Sequence, residues 1–217
     1  SYTVTGLTNG VEYFFKVAAI NGAGTGSDTA SAGPLTPRGV PTAPSLTSVT
    51  PGNQQIVVVF GTPTNNGGSI ITSYVATATD SSNNAKSCTW TTGALTCTIA
   101  GLTNGTSYSV SVVARNSYGN SPASTSSSAT PRTVPGAPTI TAVNPSGTGI
   151  GLTWSAPGND GGSAITDYVV QHSLNNSTWN TFADGVGTST STTITGLTPG
   201  SSYYIRIAAI NTAGTGA

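Results

Sequence analysis

Charged side chains are scarce in this sequence: Asp, Glu, Lys and Arg make up 6% of its 217 residues, against about a quarter of an average soluble domain. Six basic residues face six acidic ones, so the chain has no net field to draw in a polyanion. No Lys/Arg cluster supplies the phosphate contacts that dominate nucleic-acid affinity, and nucleic acid is excluded as a partner. A net charge of zero also removes the long-range repulsion that keeps copies of a protein apart, so self-association is tolerated. Apolar runs nowhere approach the roughly 18 residues that span a bilayer, and SYTVTGLTNG has neither a basic nor an apolar segment of a signal peptide. Neither membrane insertion nor an export signal is expected within this stretch. Histidine occurs once, at His172, and cysteine twice, at Cys88 and Cys97.

What is abundant is repetition. GLTNGVEY at Gly6 to Tyr13 recurs as GLTNGTSY at Gly101 to Tyr108 and as GLTPGSSY at Gly196 to Tyr203, both times 95 residues on. PRGVPTAP from Pro37 returns as PRTVPGAP from Pro131, and GGSIITSY from Gly67 as GGSAITDY from Gly161, each 94 residues on. A period of this length is a domain, not a solenoid turn. Within each period, apolar and polar residues alternate over short runs bounded by Gly, Pro and Asn, the pattern of an all-β sandwich. Ile56, Val58 and Phe60 fall on one strand face, as do Ile150, Leu152 and Trp154. After each G-L-T-x-G, an inward stripe is built three times: Tyr13, Phe15, Val17, Ala19; then Tyr108, Val110, Val112, Ala114; then Tyr203, Ile205, Ile207, Ala209. No segment has a helical apolar period with caps, so essentially no helix is expected.

These residues together resemble fibronectin type III domains as they occur in bacterial secreted and surface proteins. The proline-rich entry PTAP or PGAP, the second-strand aromatic (Phe60, Trp154), the G-G-S-x-I-T-x-Y segment and the G-L-T-x-G-x-x-Y-x-x-x-V/I-x-A-x-N run carry the resemblance. It implies tandem, immunoglobulin-like, seven-stranded sandwiches. It also implies that Tyr13, Tyr108 and Tyr203 are tyrosine corners, whose hydroxyls bond nearby backbone. Phe60 departs from the usual Trp and implies a slightly smaller core plug. On this register, residues 1–37 are the C-terminal part of one module, 38–132 a complete module and 133–217 a module lacking its last strand. The expectation that follows is a window on a longer array, or ends completed by neighbouring copies, with an advance of roughly 30 to 40 Å per module judged from strand length.

Cys88 and Cys97 lie in KSCTWTTGALTC, on what the spacing predicts to be neighbouring antiparallel segments. A disulfide there would add roughly 2 to 3 kcal/mol and require an oxidising compartment; the alternative is two reduced, half-buried thiols. Zinc is disfavoured, because only His172 could join them, from another module. His172 itself, two residues after Val170, is expected as a structural side chain at the sandwich surface. Asp160, Asp167 and Asp184 lack the D-x-D-x-D-G spacing of a calcium loop, and Asp160 in NDGG is expected as a turn residue. NGAGTG from Asn21 and NTAGTG from Asn211 precede no helix, so they are hairpin loops and not phosphate cradles. No RGD occurs in them, and Asn104, Asn175 and Asn176 match the N-x-S/T sequon only weakly in so Ser/Thr-rich a chain. Phe14 and Tyr204, on the outer strand face, and Trp90, between the cysteines, are the candidates for surface contacts.

No nucleophile–base pair, metal cluster or cofactor loop can be located, so no catalytic residue, metal or cofactor is expected. The reading is an extracellular structural or adhesive repeat, a spacer or building block of a surface stalk, adhesin or fibre. Short linkers with prolines every three or four residues favour stiff connections. Its partners would be other copies of itself or flanking repeats of the same protein, with surface glycans or proteins as further candidates. The competing reading is accessory modules of a secreted polysaccharide-degrading enzyme whose catalytic domain lies outside this stretch.

Overall fold

The alternating stripes become strands wherever a neighbouring strand and a facing sheet exist to receive them. The computed structural model describes residues 1–217, and every regular element in it is a β-strand. The chain packs as two compact units, one of residues 1–50, 57–100 and 108–129, the other of residues 51–56, 101–107 and 130–217. The unit limits fall inside a repeat: the GLTNG loop at 101–107 and the turn at 51–56 pack with residues 130–217.

In the first 37 residues, β1 (Tyr13–Phe15) pairs with β4 (Ala32–Leu35), and β2 (Ile20–Asn21) forms a hairpin with β3 (Gly24–Thr25). The predicted stripe is interrupted here: the strand stops at Phe15, and Val17 is exposed. The equivalent segment of the second repeat runs unbroken as β10 (Tyr108–Asn116). The difference lies in the neighbours, because β10 is paired along Ser109 to Arg115 with β7 (Ser73–Thr79), and β1 has no such partner. An amphipathic strand without a second sheet has no buried face to fix its pleat.

The second repeat is a two-sheet sandwich. One sheet is β5 (Ser45–Gly52), β6 (Gln55–Gly61) and β9 (Thr96–Ala100), in the order β5-β6-β9; the other has the order β11-β10-β7-β8, with β8 at Ala85–Trp90 and the edge strand broken into β11 (Gly119–Asn120) and β12 (Ser127–Ala129). Counting the broken edge once, seven strands form it. Ile56, Val58 and Phe60 are buried as their alternation requires, as are Tyr74, Ala76, Val110 and Val112. The Phe60 ring lies 4.9 Å from that of Tyr74.

The third repeat repeats the plan. β13 (Thr139–Ser146), β14 (Gly149–Ser155) and β17 (Ser191–Ile194) make one sheet; β16 (Asn180–Phe182), β15 (Asp167–Ser173), β18 (Tyr204–Asn211) and β19 (Gly214–Thr215) make the other. The last strand is thus present in its first two residues, β19 standing where β11 stands in the second repeat. Leu152, Trp154, Tyr168, Val170, Ile194, Ile207 and Ala209 form the core, with Trp154 edge-on to Tyr168 at 5.4 Å. His172 corrects the expectation of a surface position: it shares the inward parity of Tyr168 and Val170, its ring sits edge-on to Tyr203 at 5.8 Å, and its Nδ1 is buried without a hydrogen-bond partner. Period-two counting from Val170 places it on that face.

Candidate functional site: the linker clamp and its glycine loop

The tightest polar construction in the chain surrounds the two proline-rich linkers. In the N-x-G-G loop preceding β7, Gly67 and Gly68 both adopt positive φ, at 72° and 74°; Gly161 and Gly162 repeat this before β15 at 77° and 82°. Side chains stabilise the turn from within: Gly67 and Gly68 donate their N–H groups to Asn65 Oδ1 (2.7 Å) and Asn66 Oδ1 (2.9 Å), and Gly161 and Gly162 donate theirs to Asn159 Oδ1 and Asp160 Oδ1, both at 2.8 Å. Asp160 is therefore a turn-forming acceptor.

The loop grips the linker through backbone bonds that recur in register. Gly39 N–H donates to Gly67 O at 2.9 Å and Thr42 N–H to Asn65 O at 2.9 Å; Thr133 N–H donates to Gly161 O at 2.8 Å and Gly136 N–H to Asn159 O at 2.9 Å. A buried asparagine closes each clamp. Asn116, 3% exposed at the end of β10, donates from Nδ2 to Gly39 O and Asn66 O, both at 2.8 Å; Asn211, 4% exposed at the end of β18, donates to Thr133 O at 2.8 Å and Asp160 O at 2.7 Å. Their Oδ1 atoms accept from Tyr118 N–H and Ala213 N–H in the next hairpin. One carboxamide thus fastens linker, glycine loop and hairpin through two bonds donated by Nδ2 and one accepted by Oδ1. On the other side of each linker, Gly10 N–H donates to Pro37 O and Gly105 N–H to Pro131 O, both at 2.9 Å. Sequence reading had Asn116 and Asn211 as the last letter of a family signature and gave them no role. The signal available was a polar residue at an inward-facing strand end, two positions after Ala114 or Ala209.

The other candidates take these positions. The Tyr13 hydroxyl accepts Thr8 N–H at 3.0 Å and the Tyr203 hydroxyl accepts Thr198 N–H at 3.1 Å, while Tyr108 is 5% exposed. Phe14 and Tyr204 stand in solvent, 64% and 52% exposed. Trp90 differs from the expected surface contact: its ring packs edge-on to Tyr74 at 5.2 Å and its indole N–H donates to Ala94 O at 2.7 Å, so its apolar and polar parts are both engaged at home. Asn104 and Asn175, both in sequons, have carboxamides committed to structure: Asn104 Oδ1 accepts Gln54 N–H, and Asn175 Oδ1 accepts the N–H groups of Ser177 and Thr178. Burial pushes the Tyr74 phenol up, and bonds from the Asn84 carboxamide and from Asn84 and Ser82 N–H hold the Asp80 carboxyl below its usual range in the β7–β8 turn. No three of the His, Cys, Asp and Glu side chains come together. The cleft beside the second clamp is polar, with Gln54, Asn104, Thr106, Asp160 and Ser163 in its wall and no aromatic ring.

Cys88 and Cys97 are bonded to each other, their Cα atoms 6.1 Å apart. The expected hairpin is corrected: Cys88 is on β8 and Cys97 on β9, which are edge strands of opposite sheets. The bridge laces one open side of the sandwich, where no backbone ladder can form between the sheets. Replacing both cysteines by serine should therefore lower the stability of the second repeat by about 2 to 3 kcal/mol in the chain-entropy picture, read as a shift in the denaturation midpoint; a shift under about 0.5 kcal/mol, the scale of ordinary surface substitutions, would contradict this.

The family model for the fibronectin type III domain matches residues 40–130 and 134–217. Exoglucanase B of Cellulomonas fimi is 33% identical over 232 residues, an alignment covering 99% of this chain and 20% of that protein. The Kelch domain-containing protein SSO1033 of Saccharolobus solfataricus is 36% identical over 121 residues, covering 56% of this chain and 16% of that one. The chain thus spans a fifth or less of these relatives' lengths. Among solved structures, chicken CNTN1 FN1–FN3 aligns with 99% of this chain and 75% of its own, at 21% identity and a TM-score of 0.46. With two matched domains over most of its length, the chain belongs to the fibronectin type III family.

Proposed function

We propose that these residues act as non-catalytic spacing repeats of a secreted or cell-surface protein, contributing length and stiffness to a stalk, adhesin or fibre. The observation that carries this reading is the linker backbone. At Gly39 and again at Thr133, both the N–H and the C=O are bonded to the loop and the asparagine that follow. Prolines on either side fix φ. A connection so tied loses little further entropy when the protein is stretched or crowded, which is what a spacer needs. The disulfide supports an oxidising compartment, and zero net charge supports close packing of copies with one another. Phe14 and Tyr204 are the side chains we assign to contacts with neighbouring copies or with surface glycans and proteins.

A second reading, accessory repeats beside the catalytic domain of a polysaccharide-degrading enzyme, is favoured by the match to Exoglucanase B along 99% of this chain. The two share the spacer role and differ in what is spaced. Backbone relaxation of the intact chain tests that shared role. Amide order parameters at Gly39, Thr42, Thr133 and Gly136 should equal those of the strands, near 0.85, and values below about 0.6 would sink it. Retention on insoluble cellulose would select the accessory reading over the stalk.

A further inference from the structure

The Gly-Gly loop meets more than its own linker. Within the first compact unit, Gly10 lies against Gly68; within the second, Gly105 lies against Gly162. A Cβ on Gly68 would stand 2.9 Å from Gly10 N, 3.0 Å from Gly10 Cα and 3.0 Å from Pro37 O. On Gly162 it would overlap Gly105 N and stand 2.6 Å from Asn104 C and 2.9 Å from Asn104 Cβ. The reverse contacts are looser, 3.3 Å from Gly10 to Gly68 and 3.2 Å from Gly105 to Gly162. Backbone thus meets backbone at two places 94 to 95 residues apart.

We infer that the second glycine of each pair, Gly68 and Gly162, is a shape-selective docking seat whose partner is the left-handed glycine of an Asn-Gly loop in the preceding fibronectin type III repeat. This deepens the spacer reading and rests on it: the seat registers one repeat on the next and points the Gly10 and Gly105 N–H groups at the linker carbonyls of Pro37 and Pro131.

Conformation alone does not call for glycine at the seat. Gln54, Asn83 and Asn176 adopt positive φ of 55°, 63° and 55° in this chain, so a side chain, asparagine above all, is tolerated in that region where space allows. At Gly162 the space is taken by the incoming loop. The partner is preformed: Gly10, Gly105 and Gly200 have φ of 85°, 82° and 78°, although nothing approaches Gly200 within 4 Å. A loop that has its docking shape before it docks loses little entropy on doing so. Asn104 braces it from behind, Oδ1 accepting Gln54 N–H and Nδ2 donating to Asn53 Oδ1, both at 2.8 Å.

Hydrogen exchange in the intact 217-residue chain tests the seat directly. Gly162→Asn keeps the left-handed region accessible and adds the forbidden Cβ. Exchange at Gly105 N–H should become at least tenfold faster, with Gly10 N–H and the amides of β14, β15 and β18 unchanged. Gly93→Asn, at a positive φ of 91° in open space, should leave Gly105 as it was. Undiminished protection of Gly105 in Gly162→Asn would overturn the inference. If that variant unfolds the third repeat, Asn104→Ala decides from the other side: it should speed Gly105 exchange with the strands intact, and no change there would count against docking. Mobile linker amides in the unsubstituted chain would instead defeat the spacer reading, so the two failures are separable.

Discussion

Replacing Asn211 by alanine should cost the third repeat about 2 to 4 kcal/mol, among the largest losses any polar substitution in this chain can produce. The carboxamide is buried and makes three bonds, to Thr133 O, Asp160 O and Ala213 N–H. Alanine leaves two carbonyls and an amide without that partner, and each stranded group costs about 1 to 3 kcal/mol with incomplete additivity. Asn116→Ala should behave alike, because its three bonds are the same ones in the second repeat. Asn21 is the built-in control. It occupies the same position after the first inward stripe, caps Ala23 N–H at 2.9 Å and lies exposed, so its replacement should stay within about 0.5 kcal/mol. Chemical denaturation of the three variants, followed by the aromatic signal of Trp154 for the third repeat, checks the ranking. Equal effects at Asn21 and Asn211 would show that the hairpin cap, and not the linker clamp, is what these residues supply.

The same positions mark how far the sequence could be read. Period-two alternation located Ile56, Val58, Phe60, Leu152 and Trp154 in the core because burial of a strand face depends only on parity along one strand. Three features depend on something else. The break of the first stripe after Phe15 reflects a missing neighbour strand, which alternation within the segment cannot register. Cys88 and Cys97 are near in sequence, yet they lie on strands of opposite sheets. Spacing alone cannot tell a hairpin from a crossing between sheets, since both bring Cα atoms to about 6 Å. The clamp was hidden for a different reason. Asn116 bonds to carbonyls 77 and 50 residues away, and a bond to backbone leaves no complementary side chain in the sequence to betray it. What was visible was the repeated letter itself: Asn after the inward stripe, and Gly-Gly after Asn-Asn or Asn-Asp, each kept across a period of 94 or 95 residues. His172 was legible by the same parity, since it stands two residues after Val170 on one strand face, and the expected surface position did not follow that count.

The first glycine of each pair should be still less replaceable than the clamp asparagine. A Cβ on Gly161 would overlap Thr133 O and stand 2.7 Å from Val134 O and 2.9 Å from Thr133 C; on Gly67 it would overlap Gly39 O and stand 2.7 Å from Val40 O. These obstacles are backbone carbonyls of a linker flanked by proline, and Gly39 O and Thr133 O are held by Asn116 and Asn211, so they cannot swing away as the end of a side chain could. Gly161→Ala therefore combines a left-handed backbone, about 1 to 2 kcal/mol for a residue with a Cβ, with overpacking of about 1 to 3 kcal/mol, together about 2 to 5 kcal/mol unless the linker is expelled. Expulsion is itself the informative outcome. The loop would keep its internal Asn159 and Asp160 bonds, Thr133 would lose Gly161 O as its acceptor, and the Arg132–Thr133 peptide would become open to protease. Gly158→Ala, three residues before Gly161 in the same loop with nothing within 4 Å and no unusual φ, should change neither stability nor cleavage. Limited trypsin digestion of the intact chain separates the cases. Rapid cutting after Arg132 in Gly161→Ala alone means that the glycine is kept for the linker, whereas a loss of stability with no new cutting site means that it is kept for the turn, and the stiffness of the connection must then be sought in the prolines.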